Sequence, residues 1–264
     1  MHLHHRVFCA ATVCASLFLT LTGCGSTAAR ATDNPLLATG NWQLSSSATG
    51  AAKLPALSGE ISGSSTVANG IFHSDSATAC VPPATAIEVV GSVNPSSVLT
   101  LTGALAGGTL TITGTLAADG KSFTSATYNV SGGTCALIAP VTAQGQNYSS
   151  ITGNYAGSFS DPGGNVINIT ATLTQTPASD MDGNFQLSGT GTFPANPCFI
   201  SPVSISNSQV TGGSFTLTYA DSNTGNSVTA SGTFSNDGTM LTVTNWTLTG
   251  TCGPDSGTGL LTKQ

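Results

Sequence analysis

Through most of this chain apolar residues stand at every second position. Ile167, Ile169, Ala171 and Leu173 alternate with Asn168, Thr170, Thr172 and Thr174. Leu110, Ile112 and Leu116 alternate with Thr111, Thr113 and Thr115, and Phe215, Leu217 and Tyr219 with Thr216 and Thr218. A period of two places one set of side chains on one face of an extended backbone, so the pattern predicts strands with one buried and one wet face. Asp119-Gly120 and Asp237-Gly238 fall between such runs, where Asp-Gly suits the positive φ of tight hairpin turns. Beyond the amino-terminal segment no long run carries a helical period.

The alternating body is written twice. Cys80 and Cys135 are 55 residues apart, and Cys198 and Cys252 are 54 apart. Gly40-Asn41-Trp42 matches Gly153-Asn154-Tyr155, and Thr113–Gly120 matches Ser231–Gly238. Tyr128 then matches Trp246, and Gly133-Thr134-Cys135 matches Gly250-Thr251-Cys252. Compositional bias toward Ser, Thr and Gly does not align residues as rare as Cys and Trp, so the body reads as two copies of one unit. One disulfide per copy follows, Cys80–Cys135 and Cys198–Cys252. No CxxC spacing is present to suggest that these thiols hold a metal.

In the second copy eight strands are expected, around 155–160, 166–175, 184–193, 199–210, 214–220, 227–235, 240–249 and 258–263. The first copy has a similar order with a shorter second and third strand. The seventh strand changes phase in both copies: Leu241 and Val243 stand on odd positions before Trp246 and Leu248, and Phe123 stands likewise before Tyr128 and Val130. A bulge is therefore expected near Ala126 and Thr244. The fold class expected is all-β: two tandem antiparallel meanders of about eight strands each. Small barrels are favoured over immunoglobulin-like sandwiches, because closure removes the strand edges and the Trp expected after the first cysteine of a sandwich is missing. The Gly-Asn-aromatic opening of each copy is similar to the Gly-x-Trp opening of lipocalin- and avidin-like barrels.

The first residues read differently. A polar start with Arg6 as its fixed charge leads into an uncharged apolar run from Val7 to about Leu21, too short for a stable transmembrane helix but of signal-peptide length. It ends in Leu21-Thr22-Gly23-Cys24, which resembles the lipobox of bacterial lipoproteins. That resemblance implies cleavage before Cys24, lipid on Cys24, and a membrane as the partner of the anchored chain. Residue 25 is Gly rather than Asp, which favours the outer membrane of the cell envelope. As a whole the sequence is similar to tandem-repeat lipoproteins of acidobacteria, a resemblance that implies no particular activity. The expected organisation is signal peptide 1–23, tether 24–38, first repeat 39–147 and second repeat 148–264.

Removing Cys9 and Cys14 with the signal and assigning lipid to Cys24 leaves an even set of four cysteines, which in an oxidising envelope compartment suggests disulfides. Charged residues make up 6% of the chain, and beyond the signal four basic side chains face eleven acidic ones. That balance offers no basic surface for a phosphate backbone, so no nucleic-acid partner is expected.

Few residues suggest chemistry. His73 stands between Phe72 and Ser74-Asp75, but adjacent residues do not make a triad, and the second copy has no equivalent histidine. His73 is expected in a surface loop. Asp180-Met181-Asp182-Gly183 resembles the start of a calcium loop without its later ligands and is expected to be a turn. Glu60 and Glu88, the only glutamates, are expected to be solvated. Trp42, Tyr128, Tyr155 and Trp246 recur at matched positions and are expected in the core. No catalytic residue, metal site or cofactor is expected. The leading reading is a non-enzymatic envelope module, structural or interacting with a protein or glycan partner. The alternative is a small-ligand or glycan-binding protein using the barrel mouths.

Overall fold

In the computed structural model, which describes residues 38–46, 54, 56–64, 66–76, 81, 85–200 and 202–264, the alternating runs form sixteen β-strands. The first eight are β1 (Gly40–Ser46), β2 (Leu57–Gly63), β3 (Val67–Ser74), β4 (Ile87–Val93), β5 (Val98–Leu105), β6 (Gly108–Leu116), β7 (Phe123–Ser131) and β8 (Val141–Tyr148). The second eight are β9 (Gly153–Ser160), β10 (Val166–Gln175), β11 (Phe185–Thr192), β12 (Val203–Thr211), β13 (Ser214–Ala220), β14 (Ser227–Phe234), β15 (Met240–Thr249) and β16 (Asp255–Lys263). Within each set of eight, every strand pairs antiparallel with the next. β8 returns to β1, and β16 to β9, so the chain forms two closed eight-stranded meander barrels.

The period-two code sets which side faces in. In β10, Ile169, Ala171 and Leu173 are buried while Thr170, Thr172 and Thr174 face solvent. Small eight-stranded barrels have interiors just wide enough for side chains to fill. Here Trp42, Phe72, Leu99, Leu101 and Leu110 fill the first, and Tyr155, Phe159, Tyr219 and Trp246 the second. Phe159 stacks on Trp246 with ring centroids 5.7 Å apart and meets Tyr219 edge-on. Each such side chain contributes about 3 kcal/mol by leaving water. The four aromatics matched between the copies are all core residues.

One bridge per copy was the expectation, and Cys198–Cys252 is formed, with Cα atoms 5.9 Å apart. It ties the loop before β12 to the loop before β16. Cys135 is also disulfide-bonded. Cys80, its expected partner, lies outside the described residues, as do Cys24 and the whole expected signal peptide.

The seventh strand of each barrel carries its bulge. Ser231 pairs with Asn245 and Gly232 with Val243, so Thr244 is the extra residue, as expected. In the first barrel Thr115 pairs with Ser125 and Leu116 with Phe123, so the extra residue is Thr124, two positions before Ala126. The two threonines do the same work: Thr124 Oγ1 donates to Thr115 O at 3.3 Å, and Thr244 Oγ1 to Ser231 O at 3.2 Å. The displacement arises because a phase change located only by Phe123 and Tyr128 fits any position between them.

Candidate functional site

The two barrels are joined end to side. The hairpin turns β10–β11, β12–β13 and β14–β15, at one end of the second barrel, lie against the first barrel's β1–β3 and the segment leaving β8. The β12–β13 turn has Gly212 at φ +52, and a Cβ there would run into Ser58 and Gln43. Its backbone closes on a buried side chain: Asn41 Nδ2 donates to Gly212 O, and Gly212 N donates to Asn41 Oδ1, each at 2.8 Å. In the β10–β11 turn, the Ser179 N–H and hydroxyl donate to Glu60 at 2.8 and 2.7 Å, while His73 Nδ1 meets Asp182 O at 2.6 Å. Since a carbonyl oxygen only accepts, His73 carries its proton on Nδ1 in this contact. In the β14–β15 turn, Asn236 O accepts from Ser149 N at 2.9 Å.

These contacts relocate several residues read from the sequence. His73 is not in a loop: it lies in β3 opposite Ser58, at the junction. Its neighbours are engaged elsewhere, Ser74 with Ser76 and Asp75 with the Gln43 amide, so no hydroxyl–imidazole–carboxylate relay forms among them. Asp180–Gly183 is the expected turn. Asp180 accepts from Asp182 N, Asn184 N and Gln186 Nε2, which occupies its carboxylate within the loop. These bonds outweigh the burial that would raise its pKa and hold it below the ordinary carboxylate value. Glu60 is not simply solvated, being bonded to Ser179. It shares a row with Glu88 through Ile71, since Glu60 pairs with Ile71 and Ile71 with Glu88, and a shallow recess of 260 Å³ lies along that row. Among the described residues no group of three His, Cys, Asp or Glu is placed to hold a metal ion.

A large concavity lies in the wall of the first barrel. Beyond Ala126–Ala143 the ladder between β7 and β8 opens and is resumed only by an isolated bridge, Ser122–Gln146. The parting follows the displaced bulge, which leaves Phe123 as the one inward residue on the short arm of β7. In the second barrel the same arm is longer: Met240, Leu241, Thr242 and Val243 all pair with β16, and the wall is closed.

Phe123 fills the gap from within. Its ring covers Gly145, where a Cβ would collide with it, and stacks on Trp42 with centroids 4.8 Å apart. Trp42 is fully buried and donates from Nε1 to Ala38 O, which fixes the pair. Over this half-buried ring lies an open groove of about 790 Å³. Its outward walls are hydroxyls and carboxamides, including Gln43, Ser125, Thr127, Gln144, Gln146 and Tyr148. Among the described residues no Asp, Glu, Lys, Arg or His lines it.

Part of the groove lining is held in place by hydrogen bonds within the protein. Gln43 Nε2 donates to Asp75 Oδ2 at 2.9 Å, and its Oε1 accepts from the Tyr148 hydroxyl at 3.3 Å. Gln146 Nε2 donates to Lys121 O and Asn147 O. Tyr148 also packs edge-on against Phe234 of the second barrel, and Asn236 closes one side of the groove. Burial, followed by the charge of Asp75, raises the Tyr148 pKa and keeps the phenol a neutral donor.

Sequence reasoning did not find this groove. The available signal was the solitary Phe123 before the phase change, where the second copy has both Leu241 and Val243. Compared with family models, curated proteins and solved structures, the chain matches none of them.

Proposed function

We propose that this chain is a lipid-anchored protein of the cell envelope whose two barrels form one non-enzymatic module, structural or interacting with a partner. The Leu21-Thr22-Gly23-Cys24 segment supports the anchor. The observation that carries the module reading is the union of two filled barrels through buried polar contacts, above all the paired bonds between Asn41 and Gly212. A tandem body joined in this way suits display or spacing at a membrane. Its interiors are occupied by Trp42, Phe72, Phe159, Tyr219 and Trp246, which favours this reading over ligand binding within the barrels. The cleft at the end of the first barrel, beside Leu44, Leu54 and Tyr128, measures only about 20 Å³, against the 300 Å³ or more of ordinary ligand pockets.

Mass spectrometry of the protein isolated from its own cells tests the proposal. The expected result is an amino terminus at Cys24 carrying a diacylglyceryl group, with Cys24→Ala released into the soluble fraction. A mature protein that starts elsewhere and carries no lipid would overturn the anchor. Turnover of an envelope substrate by the purified protein would overturn the non-enzymatic reading.

A further inference from the structure

From the wall groove above Phe123 we infer that the first barrel binds a neutral, hydroxyl-rich chain, a saccharide segment, across β7, β8 and β1. The inference deepens the reading of an interaction module and is independent of the lipid on Cys24.

Four observations carry it. The groove, about 790 Å³, lies within the range of small-ligand sites and at a boundary between two folded units, where such sites concentrate. Its polar lining consists of hydroxyl and carboxamide groups, each able to donate and to accept, which is what a sugar hydroxyl requires of a partner. Among the described residues no charged side chain belongs to that lining, so these residues offer no ion pair to phosphate, carboxylate or ammonium groups. The half-buried Phe123 ring, fixed on Trp42, is part of the lining and adds an apolar contact for the C–H groups of a pyranose ring.

The second barrel provides the internal comparison. Its bulge at Thr244 is followed at once by restored pairing, Val243 with Gly259, and the wall is sealed. The opening therefore belongs to one copy of a duplicated unit and is not a consequence of the bulge as such. Held residues and free ones divide the work. Gln43 and Gln146 are fixed by the bonds described above, whereas Thr127 and Gln144 are exposed, with no side-chain hydrogen bond among the described residues.

The test is calorimetric titration of the full chain in detergent with cellohexaose, maltohexaose and chitohexaose as probes. At least one is expected to bind saturably. Thr127→Trp, an exposed substitution that obstructs the groove, is expected to weaken that binding at least tenfold. Thr242→Trp, at an exposed position on the sealed wall of the second barrel, is expected to leave it unchanged. Gln144→Ala, which fills nothing, is expected to weaken it several-fold and guards against misfolding of the Trp variant. Saturable binding of none of the three sugars would overturn the proposal, as would binding insensitive to both groove variants. So would binding of a neutral Ser/Gln peptide with no sugar bound. An unlipidated Cys24 would leave these outcomes unaffected, so the two proposals fail separately.

Discussion

Asn41 and Gly212, 171 residues apart, bond to each other twice, the carboxamide donating to the peptide carbonyl and accepting from the peptide N–H, both at 2.8 Å. Asn41 is 2% exposed, so neither partner has water as a substitute. Removing one side of a buried pair leaves the other unsatisfied, at about 1–3 kcal/mol per group. Asn41→Ala is expected to cost about 2–4 kcal/mol of coupling between the barrels. In denaturant melts, a single transition in the parent chain should broaden or divide in two. An unchanged single transition would show that the junction does not depend on this pair.

The Cys198–Cys252 bridge closes a loop of 54 residues. In the chain-entropy model such a crosslink stabilises by about 4 kcal/mol, an upper figure. Replacing both cysteines by Ser is expected to lower the midpoint of the chain's single melting transition. An unchanged midpoint would show that the bridge does not stabilise the fold.

Tyr219 ends in a fully buried hydroxyl with no hydrogen-bond partner among the described residues, enclosed by Phe159 and Phe193. Burial alone pushes its pKa upward. An orphaned hydroxyl in an apolar interior costs free energy that Phe does not. Tyr219→Phe is expected to stabilise the protein by about 1 kcal/mol, measured by urea denaturation. A loss of stability would mean that the hydroxyl has a partner in solution.

Several carboxylates cap their own turns. The Ser235 hydroxyl, then the Thr239 hydroxyl and N–H, hold Asp237 down to about 2. The Ile200 N–H, with Asn223 and Thr224, lowers Asp221. A carboxylate whose folded pKa is depressed adds stability above its unfolded pKa and loses it as pH falls through the folded value. Melting temperature is therefore expected to be flat down to about pH 4 and to drop between about pH 4 and pH 2. Asp221→Asn should make that drop shallower. A profile that stays flat to pH 2 would contradict the assignment.

At alkaline pH the sign reverses. Burial, followed by the charge of Asp237, raises Tyr155 to about 12, and its hydroxyl donates to Gly238 O at 2.5 Å. The neutral phenol is favoured by folding, so its contribution is complete below about pH 10 and is lost as pH rises toward 12. In ultraviolet titration, the number of tyrosines that ionise near pH 10 only after unfolding should fall by one in Tyr155→Phe. Ionisation of Tyr155 at the ordinary value would refute the buried contact.

Alternation determined the architecture from the sequence alone. Ile169, Ala171 and Leu173 on one face, and threonines on the other, leave a strand no choice of face, because a one-residue slip exposes the whole apolar set. Repetition of that code, with Asp-Gly turns between runs, specified two meanders, and matched aromatics marked their cores. The position of a bulge was bounded only by the nearest inward residues, so Thr244 was legible while Thr124 was displaced from the expected Ala126. Only the tertiary structure decided what the duplicated residues do. Asn41 and Asn154 occupy the same motif, yet Asn41 is buried against a hairpin of the other copy and Asn154 is exposed, accepting from Thr172. Glu60 meets Ser179, and His73 meets Asp182, across the junction for the same reason. The groove over Phe123 likewise depends on where β8 lies relative to a bulge in β7. Periodicity within a strand is a local property and survives in one dimension; the partner of an outward side chain is set by strand register and by the docking of one barrel on the other.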